Sequence, residues 1–201
     1  MTFDINQSKH KGLKDINLES LAFWFNSGFF LNGNSFLNDE KKYVDNIGPF
    51  FKWHDHPEEI SFEKIVWEFK NTFDEVIAEA TKGRKIILPI SGGLDSRTIA
   101  ASLIGNKNVV AYSYEFENGI PETKYAKEIA STLGWEFYSF KIPQGYLWRK
   151  LDSIANLNNC RTEFTNPRQL YVINQISKLG DIIISGSMGD LLFDSFKISK
   201  N

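Results

Sequence analysis

A short run of small, polar and acidic residues, Ser91-Gly92-Gly93-Leu94-Asp95-Ser96, follows directly on the apolar segment 86–90. The adjacent glycines let the backbone turn tightly and leave it uncovered, so a ligand can approach and successive amide N–H groups can point at phosphate oxygens. Ser91 and Ser96 add hydroxyl donors. Residues of these types in this order indicate a loop that binds a polyphosphate.

A helix is predicted to follow this loop, to run to about Ile104 and to end at Gly105. The amino terminus of a helix carries roughly half a unit of positive charge and unpaired N–H donors, which favour an anion. Arg97 adds a cation that can neutralise phosphate charge. The alternative interpretation is that the glycines only turn the chain and that Asp95 or Ser96 only caps the helix.

Asp95 stands where the commoner phosphate motif, G-x-x-x-x-G-K-[ST], carries a cation. A carboxylate beside a polyphosphate is repulsive unless a divalent metal lies between them. The sequence therefore predicts that Asp95 is a ligand of Mg²⁺.

Strands and helices alternate around this loop. Apolar runs bounded by turn residues predict strands, and apolar residues at helical spacing predict helices. Strands are expected at 86–90, 109–116, 136–142 and 181–185, and the other helices at 17–25, 61–82, 121–133, 146–157 and 166–180. This order predicts an α/β fold with a doubly wound parallel sheet, whose ligands bind at the carboxyl ends of the strands.

Three positions refine the element predictions. Asn17 and Ser61 are the expected amino-terminal caps of the first two helices. Pro89 cannot donate to a sheet, so it is tolerated only at the carboxyl end of its strand. The helix 121–133 is expected to bury one stripe, which consists of Tyr125, Ala126, Ile129, Ala130 and Leu133.

Composition limits the function classes. The chain has 201 residues and a formal net charge of −2, so nucleic acid is not expected as a partner. Cys160 is the single cysteine, which excludes an internal disulfide and favours a cytoplasmic location. No apolar run approaches the roughly 20 residues of a membrane span. His54 and His56 are interpreted as part of a solvated linker rather than a metal site.

The run Ile90-Ser91-Gly92-Gly93-Leu94-Asp95-Ser96-Arg97 resembles the SGGxDS signature of the N-type ATP pyrophosphatases, and specifically that of the asparagine synthetase family. Ile183 to Phe193 resembles the family's second motif, a strand followed by S-G-x-G-[GS]-D-E-L-F. The resemblance implies an adenine nucleotide alpha hydrolase-like, Rossmann-type fold. It also implies adenylation of a carboxylate, release of pyrophosphate, and attack on the acyl-adenylate by ammonia or an amine.

The resemblance assigns further residues to an ATP site. Residues 91 to 96, Leu94 included, would bind the phosphates, and Tyr114 would lie where the family holds adenine. Ser185 and Gly186 would lie near the ribose and base. Asp190 would be the second Mg²⁺ ligand, and Asp95, Asp190 and Arg97 are the predicted catalytic residues. The expected cofactors are therefore ATP and Mg²⁺.

The chain also departs from the family. The family's glutaminase nucleophile is an amino-terminal cysteine, whereas Met1 is followed here by Thr2, so glutamine is not the expected nitrogen source. Leu191 replaces the acid that follows Asp190. Residues 1–57 are predicted to be a remnant resembling the end of a glutaminase domain. Residues 58–201 are predicted to be a synthetase domain that is incomplete at its carboxyl end.

The predicted function is that of an ATP-dependent, AMP-forming carbon–nitrogen ligase. The expected partners are a small carboxylate and ammonia or an amine donor. A separate amidotransferase or a further carboxyl-terminal region is an additional candidate partner, and no membrane is expected. Two alternatives stay open. One is a nucleotide-binding or interaction module without turnover. The other is a different loop enzyme that modifies tRNA or transfers sulfur, against which the single cysteine and the acidic balance count.

Overall fold

The computed structural model describes residues 15–27, 59–121, 123–158, 165, 167–187 and 189. The chain forms two compact units, one of Met1–Pro57 with Lys150–Arg168 and the other of Glu58–Arg149 with Gln169–Asn201. Most of the predicted glutaminase-like segment 1–57, including His54 and His56, lies outside the described residues. The proposed domain division at residue 57 and the identity of that segment stay predictions.

The described elements are mostly those that the sequence predicts. The helices are α1 (Leu18–Ser27), α2 (Phe62–Thr81), α3 (Leu94–Ser102), α4 (Thr123–Thr132), α5 (Tyr146–Arg149), α6 (Leu151–Asn158) and α7 (Ile173–Ile176), with a 3₁₀ helix at Arg168–Tyr171. The strands are β1 (Ile86–Pro89), β2 (Val109–Phe116), β3 (Glu136–Ile142) and β4 (Ile182–Ile183). Both predicted caps are confirmed, because Asn17 Oδ1 accepts the Ser20 N–H at 3.0 Å and Ser61 Oγ accepts the Lys64 N–H at 3.3 Å.

The sheet belongs to the second unit and has the strand order β3-β2-β1-β4, with every pair parallel. The chain passes through α3 and α4 as it moves outward from β1 to β2 and β3. It then returns through α7 to place β4 on the other side of β1. The direction of winding therefore reverses between β1 and β4, and such a switch point is where sheets of this class bind ligands. The predicted doubly wound α/β fold is confirmed.

Helices cover both faces of the sheet. Alternate residues of β1 point to opposite faces, so Leu88 and Ile87 lie in different clusters. On one face, the strand residues pack with buried residues of α2, α3 and α4, namely Ile77, Ile99, Ala100, Ala126 and Ala130. On the other face, Ile87 and Tyr112 pack with Val172 and Ile176. Burial on both faces explains why β1 is apolar throughout.

Three element predictions are wrong in extent. The predicted helix 146–157 is divided at Lys150 into α5 and α6, and nothing in the residues explains the break. The part of the predicted helix 166–180 that is described forms only a 3₁₀ turn and α7, where contacts of Val172 and Ile176 with the sheet override helical periodicity. The strand predicted at 181–185 is limited to Ile182–Ile183.

The apolar stripe of α2 is buried only in its second half. Ile77 is buried and Phe73 packs against the core, whereas Phe62, Ile65 and Val66 are exposed.

Among the described helices, α2 included, none is both long enough and apolar enough to cross a membrane.

Candidate functional site

The loop between β1 and α3 is held in place by its own serines. The Ser91 N–H donates to Ser96 Oγ at 3.1 Å, and the Gly93 N–H donates to Ser91 Oγ at 3.2 Å. Ser96 Oγ also lies 3.3 Å from the Ser91 carbonyl oxygen and 3.4 Å from that of Gly93. Ser96 is buried, so these bonds fix the loop against the first turn of α3. The serines therefore shape the loop in addition to any contact with a ligand.

The first turn of α3 is open toward the edge of the sheet. Gly93 is the N-cap, in extended backbone, and it provides no side-chain hydrogen bond to the helix. The first N–H groups of a helix have no partner within the helix, so they are free to bind an anion placed over the loop. Anion binding at this turn stays a prediction.

The reason predicted for the two glycines is partly wrong. Gly93 has a φ of −76°, and neither Gly92 nor Gly93 is among the described residues with a left-handed φ. The backbone conformation does not require glycine at either position, although a Cβ at Gly93 would lie 3.2 Å from Ser91 Oγ, a tight contact. A Cβ at Gly92 would meet only the side chain of Tyr125, at 3.9 Å, which is an ordinary contact. What these glycines provide is uncovered backbone beside the helix terminus.

The loop after β4 lies directly against Asp95. A Cβ at Gly189 would lie 2.6 Å from Asp95 Cγ, and a Cβ at Gly186 would lie 3.0 Å from Asp95 Cβ and 3.1 Å from the Ser96 nitrogen. The distance at Gly189 is shorter than real Cβ atoms show, and the distances at Gly186 are tighter than nearly all real Cβ contacts, so glycine favours the close approach at both positions. The structure therefore brings the two sequence motifs together at Asp95.

Short local hydrogen bonds shape this second loop as well. The Ser185 and Ser187 hydroxyls are 2.7 Å apart, and the Ser187 N–H donates to Ser185 Oγ at 3.2 Å. The Gly189 N–H donates to the Gly186 carbonyl oxygen at 3.3 Å. Asp190, the predicted second Mg²⁺ ligand, follows Gly189 but lies outside the described residues.

Pro89 separates the two strands at the switch point. The Ile184 N–H donates to the Ile87 carbonyl oxygen at 3.1 Å, which continues the β1–β4 ladder. The next bond in that ladder would need an N–H on residue 89, and proline has none. The ladder consequently stops here, and β4 ends at Ile183.

On the other side of β1, β2 continues to Phe116 while β1 ends at Pro89. The Ile90 N–H donates to the Tyr112 carbonyl oxygen at 2.8 Å, so the even-numbered residues of β2 direct their backbone groups toward β1. The N–H and C=O of Tyr114 therefore extend past the end of β1. The Tyr114 side chain instead packs with the Ile87 and Tyr112 cluster, on the sheet face opposite α3.

Tyr112 anchors that opposite face. Its hydroxyl donates to Gln169 Oε1, and its ring packs edge-on to Phe140 with centroids 6.0 Å apart. Burial, with a smaller contribution from the neighbouring Tyr114, raises the pKa of Tyr112 to about 12. Tyr112 thus supports β2 from the face away from the loops and has no open path to a ligand.

Two further predicted residues border the first loop. Arg97 Nε donates to the Gly93 carbonyl oxygen at 3.2 Å, which directs the guanidinium back along the loop. Leu94 is 73% exposed, so it presents an apolar side chain at the same edge. The described residues contain no group of three His, Cys, Asp or Glu side chains that could hold a metal ion.

Tyr125 is the site neighbour that sequence reasoning placed wrongly. It was predicted to be in the buried stripe of α4, yet it is 61% exposed and lies against Gly92, whereas Ala126 and Ala130 are fully buried. The position of Tyr125 in the first turn of α4 is the sequence feature that could have indicated its exposure. Because α4 follows β2, that turn lies at the edge formed by the carboxyl ends of the strands and not over the core.

Residues 68–200 match the protein family described as asparagine synthase. Among solved structures, the chain is similar to the glutamine-dependent NAD⁺ synthetase from Acinetobacter baumannii, solved in complex with ADP. The identity is 18% and the TM-score 0.45, over 70% of this chain and 28% of that one. It is also similar to the NH3-dependent NAD synthetase from Campylobacter jejuni subsp. jejuni NCTC 11168, solved with the nitrate ion. Here the identity is 18% and the TM-score 0.46, over 63% of this chain and 58% of that one. No curated protein sequence matches the chain.

Proposed function

Because the chain belongs to the asparagine synthase family, we propose that it is a ligase that binds Mg-ATP between its two loops and activates a carboxylate as an acyl-adenylate. One observation carries the proposal. In a chain of this family, Gly186 and Gly189 of the second motif pack on Asp95 of the first, at the point where the sheet changes direction. The chain spans 28% and 58% of the two solved structures named above. The substrates named here are therefore part of the proposal.

The phosphate tail would lie over the first loop. The amides at the start of α3 would donate to its β- and γ-phosphate oxygens, and the uncovered backbone of Gly92 and Gly93 would allow that approach. The Ser91 and Ser96 hydroxyls hold the loop in shape. Arg97, whose Nε is bonded to the loop, would direct its remaining N–H donors to the phosphates.

The chemistry of Asp95 suits a magnesium ion. Asp95 is exposed in the first turn of α3, although Gly189 packs against its carboxylate. Mg²⁺ usually takes one or two carboxylates and completes its shell with water and substrate phosphates, so a site without three clustered protein ligands suits it. Asp95 and Asp190 would hold the ion. When bound, it would offset the charge of the phosphates and of the leaving pyrophosphate.

The nucleoside would lie along the end of β2. The backbone N–H and C=O of Tyr114, which lie beyond the last paired residue of β1, offer one donor and one acceptor in line, the pattern that the edge of adenine requires. Ser185 and Gly186, in the loop after β4, would lie near the ribose and base. The role of Tyr114 would then belong to its backbone, because its ring packs on the opposite face.

The proposed chemistry needs no covalent enzyme intermediate. A substrate carboxylate oxygen attacks the α-phosphorus of ATP, an O–P bond forms, and the bond to the β-phosphate breaks to release pyrophosphate. Ammonia or an amine then attacks the acyl carbon and displaces AMP. The protein contributes position and fixed positive potential for the leaving pyrophosphate, supplied by the loop amides and Arg97.

The test follows the label of [α-³²P]ATP incubated with magnesium, ammonia and a panel of small carboxylates. We expect labelled AMP with an equal amount of pyrophosphate. Labelled ADP would refute the proposal. Tight binding of Mg-ATP without AMP would instead select a nucleotide-binding module that has no turnover.

The matched variants are Asp95→Asn and Asp74→Asn. The first should lower AMP formation roughly 100-fold or more, because it removes a charged metal ligand. The second makes the same chemical change at a half-buried carboxylate of α2, 2.6 Å from Lys70 Nζ, and should leave the rate unchanged. Equal rates for Asp95→Asn and the wild-type protein would exclude Asp95 from the site.

A further inference from the structure

We propose that Tyr125 contacts the phosphate tail, with its ring as a side wall of the first loop and its hydroxyl as a donor to a pyrophosphate oxygen. This inference rests on the proposed function and adds a ligand-contacting residue that neither motif contains. Tyr125 lies in the first turn of α4, whereas the motifs cover residues 91–97 and 183–193.

The backbone of Tyr125 is held firmly. Ala126 and Ala130 of the same helix are fully buried against the sheet, and Thr123 Oγ1 donates to Glu115 Oε2 at 2.7 Å. Glu115 in turn lies 3.8 Å from Lys141 Nζ. The start of α4 is thus tied to both β2 and β3, and Tyr125 projects from a fixed position at the ligand-binding edge.

The ring lies beside the loop and not in the core. Tyr125 Cδ2 is 3.9 Å and its Cβ is 4.0 Å from the point that a Cβ of Gly92 would occupy. The residue is nevertheless 61% exposed. An aromatic side chain stabilises a fold mainly through the area it buries, so packing alone gives little reason for a tyrosine here.

The hydroxyl is free to act on a ligand. Tyr112 donates to Gln169 and Tyr138 donates to Glu136, but no hydrogen bond among the described residues involves the Tyr125 hydroxyl. A phenol can donate to an anionic oxygen and carries no charge of its own. Next to the Gly92 amide and the amides at the start of α3, it would extend the row of neutral donors around the phosphates.

The experiment is calorimetric titration of inorganic pyrophosphate with magnesium into the wild-type protein, Tyr125→Phe, Tyr125→Ala and Tyr138→Phe. Tyr125→Phe keeps the ring and should bind roughly tenfold more weakly, because one hydrogen bond to a charged oxygen is lost. Tyr125→Ala should bind at least as weakly. Tyr138→Phe makes the same change at a distant strand and should bind like the wild-type protein. Thermal melts should show all four folded, since position 125 is exposed.

Each outcome decides a separate question. If the wild-type protein binds pyrophosphate and Tyr125→Phe binds it equally well, the role of the hydroxyl is refuted while the proposed function stands. If Tyr138→Phe weakens binding as much as Tyr125→Phe, the effect is not local and the inference is also refuted. If the wild-type protein does not bind pyrophosphate, both the inference and the proposed ATP site fail.

Discussion

Gly92 in the loop after β1 has room for a methyl group beside Tyr125, whereas Gly186 and Gly189 in the loop after β4 press against Asp95. A methyl group at Gly92 would meet one ring at 3.9 Å, but at Gly186 it would meet the backbone of Asp95 and Ser96 at 3.1 Å. In the proposed site, the missing side chain at Gly92 leaves room for the ligand. At Gly186 and Gly189 it leaves room for Asp95.

The loops also differ in how they are held. The first is bonded through Ser96, which is buried, while the second is bonded through Ser185 and Ser187, which are exposed. The first loop therefore has a rigid attachment to α3. The second depends on its fit against Asp95, so the position of the loop and the position of that carboxylate are coupled.

The largest effect on stability is expected for Gly186→Ala. The added methyl group would lie 3.1 Å from the backbone of Asp95 and Ser96, which would have to shift by a few tenths of an ångström, so the free energy of unfolding should fall by about 1–3 kcal/mol. The ATP site should be lost with it, because the start of α3 must move. Chemical denaturation followed by circular dichroism measures the first effect, and titration with Mg-ATP measures the second.

Gly189→Ala is the matched comparison for this first prediction. Its methyl group would meet the Asp95 carboxylate, the mobile end of a side chain, so stability should change less while Mg²⁺-dependent binding is still lost. An unfolding midpoint for Gly186→Ala equal to that of the wild-type protein would show that the two loops are not packed as described.

A smaller effect is expected for Ser96→Ala. This change removes the acceptor of the Ser91 N–H inside a buried contact, and one such bond is worth about 1 kcal/mol. Ser187→Ala, at an exposed position in the second loop, should cost nothing measurable. The same denaturation assay compares them, and equal losses for the two variants would contradict the difference in how the loops are held.

The sequence was sufficient for the sheet because its strands are local patterns. Runs such as 86–90 and 109–116 are apolar and bounded by turns, so burial on both faces could be read directly. The region after Pro167 could not be read in this way. There, contacts of Val172 and Ile176 with β1 and β2 shape the chain, and such contacts depend on packing between distant segments.

As for the sheet, the sequence predicts the local features of the candidate site but not the contacts between distant segments. The first loop and its position after β1 follow from residue type and order, and topology predicts that the loop after β4 lies nearby. Which glycine touches which atom of Asp95 does not follow, because that contact joins segments far apart in the sequence. Tyr125 was misplaced because helical periodicity cannot show that the first turn of α4 extends beyond the core.

The smallest effect on stability, and the sharpest test of the comparison, is expected for Gly92→Ala. Its φ is not left-handed and its methyl group would have room, so the free energy of unfolding should stay the same or rise by up to about 1 kcal/mol. Binding of Mg-ATP should nevertheless weaken roughly tenfold, because the methyl group lies where the phosphates must approach. Titration and denaturation of the same sample separate the two. Unchanged binding would mean that the ligand does not lie beside Gly92. A loss of stability would mean that Gly92, like Gly186, is required by the packing of the protein.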